Sequence, residues 1–182
     1  GKRGISMIFI SGVHGVGKTY FSNLVKSELH INSYTASELI EKSRNLKFNE
    51  NKQVSDIQGN QTYLIHAIKM LQQTKEKFLL DGHFCLLDEK RAIKRIPFET
   101  FRDLRPDAII LLTENSDIIA QRRKKRDGAQ VSVQEIKLFQ KEEITYARQV
   151  ASQLSIRLFV SNGKNDLLKA VDFIKFLLRE GD

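Results

Sequence analysis

The chain has 182 residues, of which 30 are Lys or Arg and 22 are Asp or Glu, giving a formal net charge of +8. An apolar share of 41% with 29% charged residues is typical of a folded globular protein and excludes a disordered tail. The longest uninterrupted apolar run, residues 108–112, is too short to span a bilayer. The single cysteine, Cys85, excludes an intrachain disulfide and favours a reducing compartment, so a cytoplasmic protein is expected.

Apolar runs and amphipathic segments alternate along the first half of the chain. The polar stretch over residues 45–60 separates two helical patterns, and Ser37 is the expected N-cap of the earlier one. The expected order is a strand over 5–10, a glycine-rich loop, an amphipathic helix, an extended piece over 32–35, a helix over about 37–44, a further helix and a buried strand over 78–80.

The second half continues the alternation. A capping box from Ser132 to Glu135 starts a long helix. The expected order is a short segment between Pro97 and Pro106, a strand over 108–112, a basic helix from about 116, the long helix to about 154, a strand over 156–160 and a closing amphipathic helix. Five short apolar strands between helices predict an α/β protein with a parallel sheet covered on both faces. Without a repeat or linker, residues 1–182 are expected to form one domain.

One motif in the first loop carries chemistry. Residues 12–19 match the phosphate-binding pattern G-x-x-x-x-G-K-[ST] at every fixed position, between an expected strand and an expected helix. The glycines let backbone N–H groups converge on an anion, while Lys18 and the helix N-terminus add positive charge. The Thr19 hydroxyl can bind Mg²⁺. From the whole motif, the chain is expected to bind a nucleoside triphosphate. The candidate residues are Gly12, Val13, His14, Gly15, Val16, Gly17, Lys18, Thr19 and Tyr20.

Two classes of P-loop protein lack their marker residues here. A GTPase carries an N-K-x-D motif that reads the base, whereas Asn51-Lys52 has no acidic residue two positions on. Helicases and ring ATPases usually place a glutamate directly after the aspartate of the second key strand, whereas this chain reads Asp81-Gly82-His83. A phosphotransferase needs no such glutamate, because its acceptor supplies the nucleophile. A kinase-type reaction is therefore favoured over ATP hydrolysis.

Five consecutive cations, residues 122–126, account for part of the positive charge. Such a run is either a solvated helix face or a site for phosphate groups. No aromatic residue interleaves with it between residues 121 and 128, so stacking on nucleic-acid bases is not indicated.

Several segments together resemble the nucleoside monophosphate kinases, in particular archaeal-type adenylate kinases and related small P-loop kinases. They are the loop with its flanks, Asp81-Gly82-His83, the helix with Arg122, Arg123 and Arg126-Asp127, and the tail from Val160 to Leu168. The resemblance implies a three-layer P-loop NTPase fold with a five-stranded parallel sheet of strand order 2-3-1-4-5. It also implies an acceptor-binding segment over about 36–60 and a basic lid over about 116–131.

The resemblance also implies residue roles. Lys18, Asp81, Arg122 and Arg126 form the implied catalytic set, in which the two arginines clamp the transferred phosphoryl group. Thr19 and Asp81 are the implied metal residues: Asp81 would orient Mg²⁺ through water, or it would position the acceptor oxygen. The remaining implied contacts are Asn162, Gly163 and Lys164 for the adenine and Ser37, Arg44 and His83 for the acceptor. Lys124 and Lys125 are expected to face solvent.

The acceptor region departs from the adenylate kinase pattern. Adenylate kinases follow the Asp-Gly pair with an aromatic residue, a proline and an arginine that binds the acceptor phosphate, and Cys85 stands at that arginine position. Within residues 36–60 the only arginine is Arg44. An acceptor other than AMP is therefore open.

The leading interpretation is an ATP- and Mg²⁺-dependent phosphotransferase that passes the γ-phosphate to a nucleotide or another small metabolite. Two alternatives remain: a nucleotide-regulated ATPase or binding module that works through a partner, and a nucleic-acid-associated kinase that uses the basic run. Nucleic acid and membranes are not the expected partners, and the sequence does not determine the oligomeric state.

Overall fold

A parallel sheet of five strands lies at the centre of the protein. The computed structural model describes residues 4–48 and 57–181, and their side chains except those of 46–48 and 57–60. Within this part of the chain the strands are Met7–Ser11 (β1), Asn32–Thr35 (β2), Phe78–Asp81 (β3), Cys85–Leu87 (β4), Ile93–Arg95 (β5), Ala108–Thr113 (β6) and Arg157–Asn162 (β7). β4 and β5 form a separate antiparallel hairpin, and the other strands form the sheet.

Helices connect the strands of the sheet. They are Lys18–Leu29 (α1), Ala36–Phe48 (α2), Ile57–Gln73 (α3), Phe98–Leu104 (α4), Ser116–Asp127 (α5), Val133–Leu154 (α6) and Leu167–Glu180 (α7). A 3₁₀ turn, Lys164–Asp166, precedes α7. Among the described helices none combines the length and apolar character that a membrane span requires. Of the acceptor-binding segment predicted over 36–60, residues 49–56 lie outside the described residues.

The order of strands across the sheet is β2-β3-β1-β6-β7. With the hairpin strands left out, this is the order 2-3-1-4-5 that the resemblance implies; the strand numbers differ because the hairpin was not predicted. The α/β class, the parallel sheet and the flanking helices are therefore confirmed. The hairpin escaped prediction because each of its strands has only three residues, and one of them is mostly charged.

The register of the sheet brings the site elements to one edge. Asp81, the last residue of β3, lies opposite Ile10 in β1 and opposite Thr35 in β2. The loop between β1 and α1 starts at this same edge, directly after Ser11. In open parallel sheets, ligands bind outside the carboxyl ends of the strands. The register therefore places Asp81 next to the P-loop.

An aromatic cluster packs beneath this edge. The rings of Phe9, Phe84 and Phe101 lie with centroids 4.8 to 5.5 Å apart, and Tyr146 of α6 contacts Phe84 and Phe101 edge-on. A Cβ atom on Gly82 would lie 2.9 Å from the Phe9 ring, so only glycine fits at that position. The residue that follows Asp81 is thus fixed by packing.

The first turn of α2 corrects one prediction. Thr35, and not Ser37, is the N-cap, because its Oγ1 accepts a hydrogen bond of 3.0 Å from the N–H of Glu38. The Glu38 carboxylate in turn accepts a bond of 3.4 Å from the N–H of Thr35. These reciprocal bonds are a capping box, and Ser37 lies inside the first turn.

Candidate functional site

The phosphate-binding loop connects β1 to α1. Gly17 adopts a left-handed conformation with φ of 109° and caps α1, whose first residue is Lys18. Only glycine adopts this φ without strain, so the glycine before the lysine is a backbone requirement. The loop turns directly into the helix, so the orphan N–H groups of the first helical turn and its positive dipole end face the cleft.

Lys18 and Asp81 meet at the floor of the cleft. Lys18 Nζ lies 2.8 Å from Asp81 Oδ1, and the two side chains are 13% and 16% exposed. An ion pair this far withdrawn from solvent is screened less than a surface pair. The sequence motif and the end of β3, 63 positions apart in the chain, therefore converge on a single cation–carboxylate pair.

His83 lies beside this pair. Its Nδ1 is buried without a hydrogen-bond partner among the described residues. Burial, with smaller contributions from the positive charges of Lys18 and His14, lowers the pKa of His83 to about 4. The imidazole is therefore neutral at physiological pH, so the ring adds no charge to the lining of the cleft.

The basic helix α5 contacts the phosphate-binding loop. Arg122 Nη1 donates to the carbonyl groups of Gly15 and Val16 at 3.3 Å each, and its Nη2 lies 3.5 Å from Glu114 Oε2. Arg123, which sequence reasoning left without a role, donates from Nε to the His14 carbonyl at 2.7 Å. Burial lowers the pKa of Arg123. Both arginines thus join the lid region to the loop.

The remaining cations of α5 differ in position. Arg126 lines the cleft, one turn after Arg122, and Lys125 also lies at its rim. Lys124 and Lys125 are both exposed, as predicted, although Lys125 also borders the cleft. The helix ends at Asp127, whose Oδ2 lies 3.2 Å from Nε2 of the exposed His14.

The region implied for the adenine lies near the first turn of α1 and the turn that precedes α7. Tyr20 is 56% exposed, and Lys164 Nζ lies 5.5 Å from the centroid of its ring. Gly163 and Lys164 line the cleft. Asn162 does not: its N–H donates to Asp166 Oδ2 at 3.0 Å, and it lines a smaller neighbouring depression together with Glu114.

The acceptor side of the cleft is lined mainly by helices. Along α2, Ser37, Ile40, Glu41 and Arg44 share one face and line the cleft. Arg44 is exposed. Glu41, which was not predicted, adds a carboxylate to this wall. Further lining residues are Gln61 and Leu64 of α3, Leu86 of the hairpin, and Thr100 and Phe101 of α4.

Nearly all the predicted site residues line one cleft of about 1330 Å³. The exceptions are Gly12, which packs against Leu112, and Asn162. The structure therefore brings the donor, lid and acceptor candidates together around Lys18 and Asp81. Their roles remain predictions.

Glu143 is a buried carboxylate beneath the cleft that sequence reasoning missed. It is 1% exposed, and it accepts hydrogen bonds of 2.9 Å each from Ser11 Oγ and from the N–H groups of Phe84 and Cys85. Burial raises its pKa to about 7, although these bonds and Lys18 act in the opposite direction. The available signal was its place on the buried stripe of α6. Besides Glu143, this stripe buries six apolar or aromatic residues: Ile136, Phe139, Tyr146, Ala147, Val150 and Ala151.

Comparisons with known proteins agree with this architecture. A family model described as an AAA domain (AAA_17) matches residues 11–138. No curated protein matches the sequence. The structure is similar to that of a shikimate kinase from Acinetobacter baumannii in complex with shikimate, with a TM-score of 0.57 and 18% sequence identity over 97% of this chain and 94% of that chain.

Two further solved structures show the same fold. One is a gluconokinase from Sinorhizobium meliloti 1021, with a TM-score of 0.53 and 14% identity over 98% of this chain and 94% of that chain. The other is a sugar kinase from Janibacter sp., with a TM-score of 0.56 and 13% identity over 96% of this chain and 95% of that chain. At such low identities the similarity shows the fold alone, which is that of P-loop kinases.

Proposed function

The chain belongs to the AAA_17 family of AAA domains, and we propose that it is an ATP-dependent phosphotransferase acting on a small molecule. The fold that it shares with P-loop kinases supports the choice of phosphotransfer. The observation that carries the proposal is the Lys18–Asp81 pair, 2.8 Å apart, at the floor of a cleft that the phosphate-binding loop opens. In such a cleft a positioned cation stabilises the charge that develops on the γ-phosphoryl group.

In the reaction, an acceptor oxygen forms a bond to the γ-phosphorus while the bond to the β–γ bridging oxygen breaks and ADP leaves. In this proposal Asp81 orients the acceptor oxygen and receives its proton. Arg126, which lines the cleft one turn after Arg122, would bind the transferring group. Exclusion of water by the basic helix would limit hydrolysis of ATP.

The donor set of the cleft fits Mg²⁺. The Thr19 hydroxyl and the Asp81 carboxylate both line the cleft, and hard oxygen ligands of this kind hold Mg²⁺ together with phosphate oxygens and water. When bound, Mg²⁺ would neutralise charge on the phosphates. The lysine that now contacts Asp81 would then be available to the γ-phosphate.

For the acceptor, we propose a small hydroxyl-bearing metabolite ahead of a nucleoside monophosphate. Arg44 is the one guanidinium that the described residues of α2, α3 and α4 contribute to the cleft lining, and Glu41 stands one turn before it. A phosphate-bearing acceptor favours several guanidinium groups. The names of the similar structures, shikimate kinase, gluconokinase and sugar kinase, support the same choice. A cytoplasmic location, as expected for a single free cysteine, belongs to this proposal.

The test separates binding from transfer. ATP binding with Mg²⁺ is measured by calorimetry, and ADP release is measured with a panel of sugars, sugar acids and nucleoside monophosphates including AMP. Asp81→Asn should bind ATP within about threefold of wild type and lose about 100-fold in turnover, because the charge acts on the metal and the acceptor. Asp172→Asn, on the exposed face of α7, is the matched control.

Wild-type protein that binds no ATP would contradict the proposal. A folded Asp81→Asn variant with unchanged turnover would remove Asp81 from the reaction. Turnover with AMP in preference to every sugar or sugar acid would favour the adenylate kinase-like alternative.

A further inference from the structure

The three donors to Glu143 belong to the two segments that carry the ion pair of the cleft. Ser11 is the last residue of β1 and directly precedes the phosphate-binding loop. Phe84 and Cys85 belong to the segment that follows Asp81 and leads into the hairpin. A single carboxylate on α6 therefore joins, from beneath the cleft, the segment that leads to Lys18 and the segment that leaves Asp81.

We propose that Glu143 is a positioning residue for phosphoryl transfer, whose carboxylate fixes the start of the phosphate-binding loop against the segment after Asp81. Glu143 acts through Ser11, Phe84 and Cys85 and not by contact with substrate. This inference rests on the proposed function, because the reaction that Glu143 would support is the phosphoryl transfer proposed above. Since a displacement of about 1 Å in a catalytic group can cost about 100-fold in rate, a tether at this place affects turnover from outside the cleft.

The chemistry of the donors explains why a carboxylate stands here. Its two oxygens accept three bonds from two directions, with Ser11 on Oε1 and both backbone N–H groups on Oε2. An aliphatic side chain would leave these buried N–H groups unpaired, which is costly. Among the charged groups, Lys18 faces Glu143 from the cleft side. On the hairpin side, burial and the nearby Glu143 and Glu142 raise the pKa of the Cys85 thiol to about 12, so the thiol adds no charge next to Glu143.

Four variants separate the tether from general stability. Ser11→Ala removes one arm of the tether at a residue that is fully buried, and Ser161→Ala is its control. Ser161 is an equally buried serine on β7 whose Oγ has no partner among the described residues. Glu143→Ala removes all three bonds. Glu143→Gln keeps the shape: its amide oxygen can accept from both N–H groups while its NH₂ donates to Ser11 Oγ.

In steady-state assays with Mg²⁺ and ATP, we expect Ser11→Ala to lower kcat about tenfold and Glu143→Ala about 100-fold. The KM for ATP should stay within about twofold, because the loop keeps its internal conformation and its phosphate-binding N–H groups shift together relative to Asp81. Glu143→Gln should recover most of the turnover that Glu143→Ala loses. The inference is wrong if Ser11→Ala behaves like Ser161→Ala, if KM changes in place of kcat, or if Glu143→Gln is as impaired as Glu143→Ala. Ser11→Ala decides the matter alone if Glu143→Ala does not fold.

A structural readout keeps the inference separate from the proposed function. If the wild-type protein neither binds nor turns over ATP, the proposed function fails, and crystal structures of Ser11→Ala and Ser161→Ala then decide the positional claim. A Lys18–Asp81 separation that departs from 2.8 Å in Ser11→Ala, but not in Ser161→Ala, supports the tether. An unchanged separation in both variants overturns it.

Discussion

The two halves of the cleft are built in different ways. On the donor side, consecutive residues between β1 and α1 supply the phosphate-binding backbone, and the sheet register adds Asp81 opposite Ile10. On the acceptor side, the wall consists of single side chains from α2, α3, α4 and the hairpin. The donor half therefore depends on backbone geometry, whereas the acceptor half depends on side chains that can be exchanged one at a time.

This difference has a consequence for specificity. A phosphate site made of main-chain N–H groups tolerates little change, because glycine conformations and the helix start define it. An acceptor wall made of single side chains, of which Ser37, Glu41, Arg44 and Leu86 are exposed, can change its ligand without disturbing the donor half. One fold can thus serve kinases with different acceptors, in agreement with the general rule that function lies in the site.

The largest effect is expected at the centre of the donor half. Lys18→Ala should lower turnover about 100- to 1000-fold, because it removes the cation that stabilises charge on the transferred group. Lys26→Ala, near the exposed end of the same helix, should retain wild-type turnover. The measurement is ADP release at saturating ATP. A Lys18→Ala variant with normal turnover would show that the donor half lies elsewhere.

Burial of the Glu143 carboxylate beneath the donor half should lower the free energy of unfolding at high pH. The pKa of Glu143 is about 7 in the folded protein against an ordinary value of 4.5, so the fold prefers the protonated form. The stability that Glu143 contributes is therefore full below its ordinary pKa and is lost as pH rises through about 7. Relative to Glu143→Gln, which has no charge, the free energy of unfolding of the wild type should fall by about 3 kcal/mol between about pH 4 and pH 8. Urea unfolding at both pH values measures this difference, and a constant difference would contradict a raised pKa.

The contrast between the halves also explains what the sequence could reveal. The loop, the strands of the sheet and the long helices follow from spacing and periodicity, which are local, whereas the order of the strands was implied by the resemblance to nucleoside monophosphate kinases. Glu143 was missed because its partners lie 132, 59 and 58 positions away, and its place on the apolar stripe of α6 indicates burial but not which groups it binds. Arg123 was missed because a run of cations does not indicate which of them turns toward His14. The Thr35 capping box was present in the sequence and was overlooked in favour of Ser37.

A smaller effect is expected at α5, the predicted lid, whose Arg122 and Arg123 contact the phosphate-binding loop. Arg126→Ala should lower transfer about 30-fold with little change in ATP affinity, because we propose that Arg126, which lines the cleft, binds the transferring group. Lys124→Ala, on the outward side of α5, should match the wild type. If both variants instead weakened RNA binding equally, with strong salt dependence and unchanged transfer, the basic run would be a nucleic-acid site.

The smallest effect is expected at the wall of the acceptor half. Arg44 is exposed, so its contact with an acceptor is partly screened by water, and Arg44→Ala should raise the acceptor KM only about fivefold. The ATP Kd and kcat at saturating acceptor should stay unchanged, since Arg44 belongs to α2 and not to the phosphate-binding loop. Lys42→Ala, on the same helix but outside the cleft lining, is the control. A change in ATP affinity in Arg44→Ala would show that the halves are coupled through α2, because a side chain confined to the acceptor wall cannot alter phosphate binding without moving the loop.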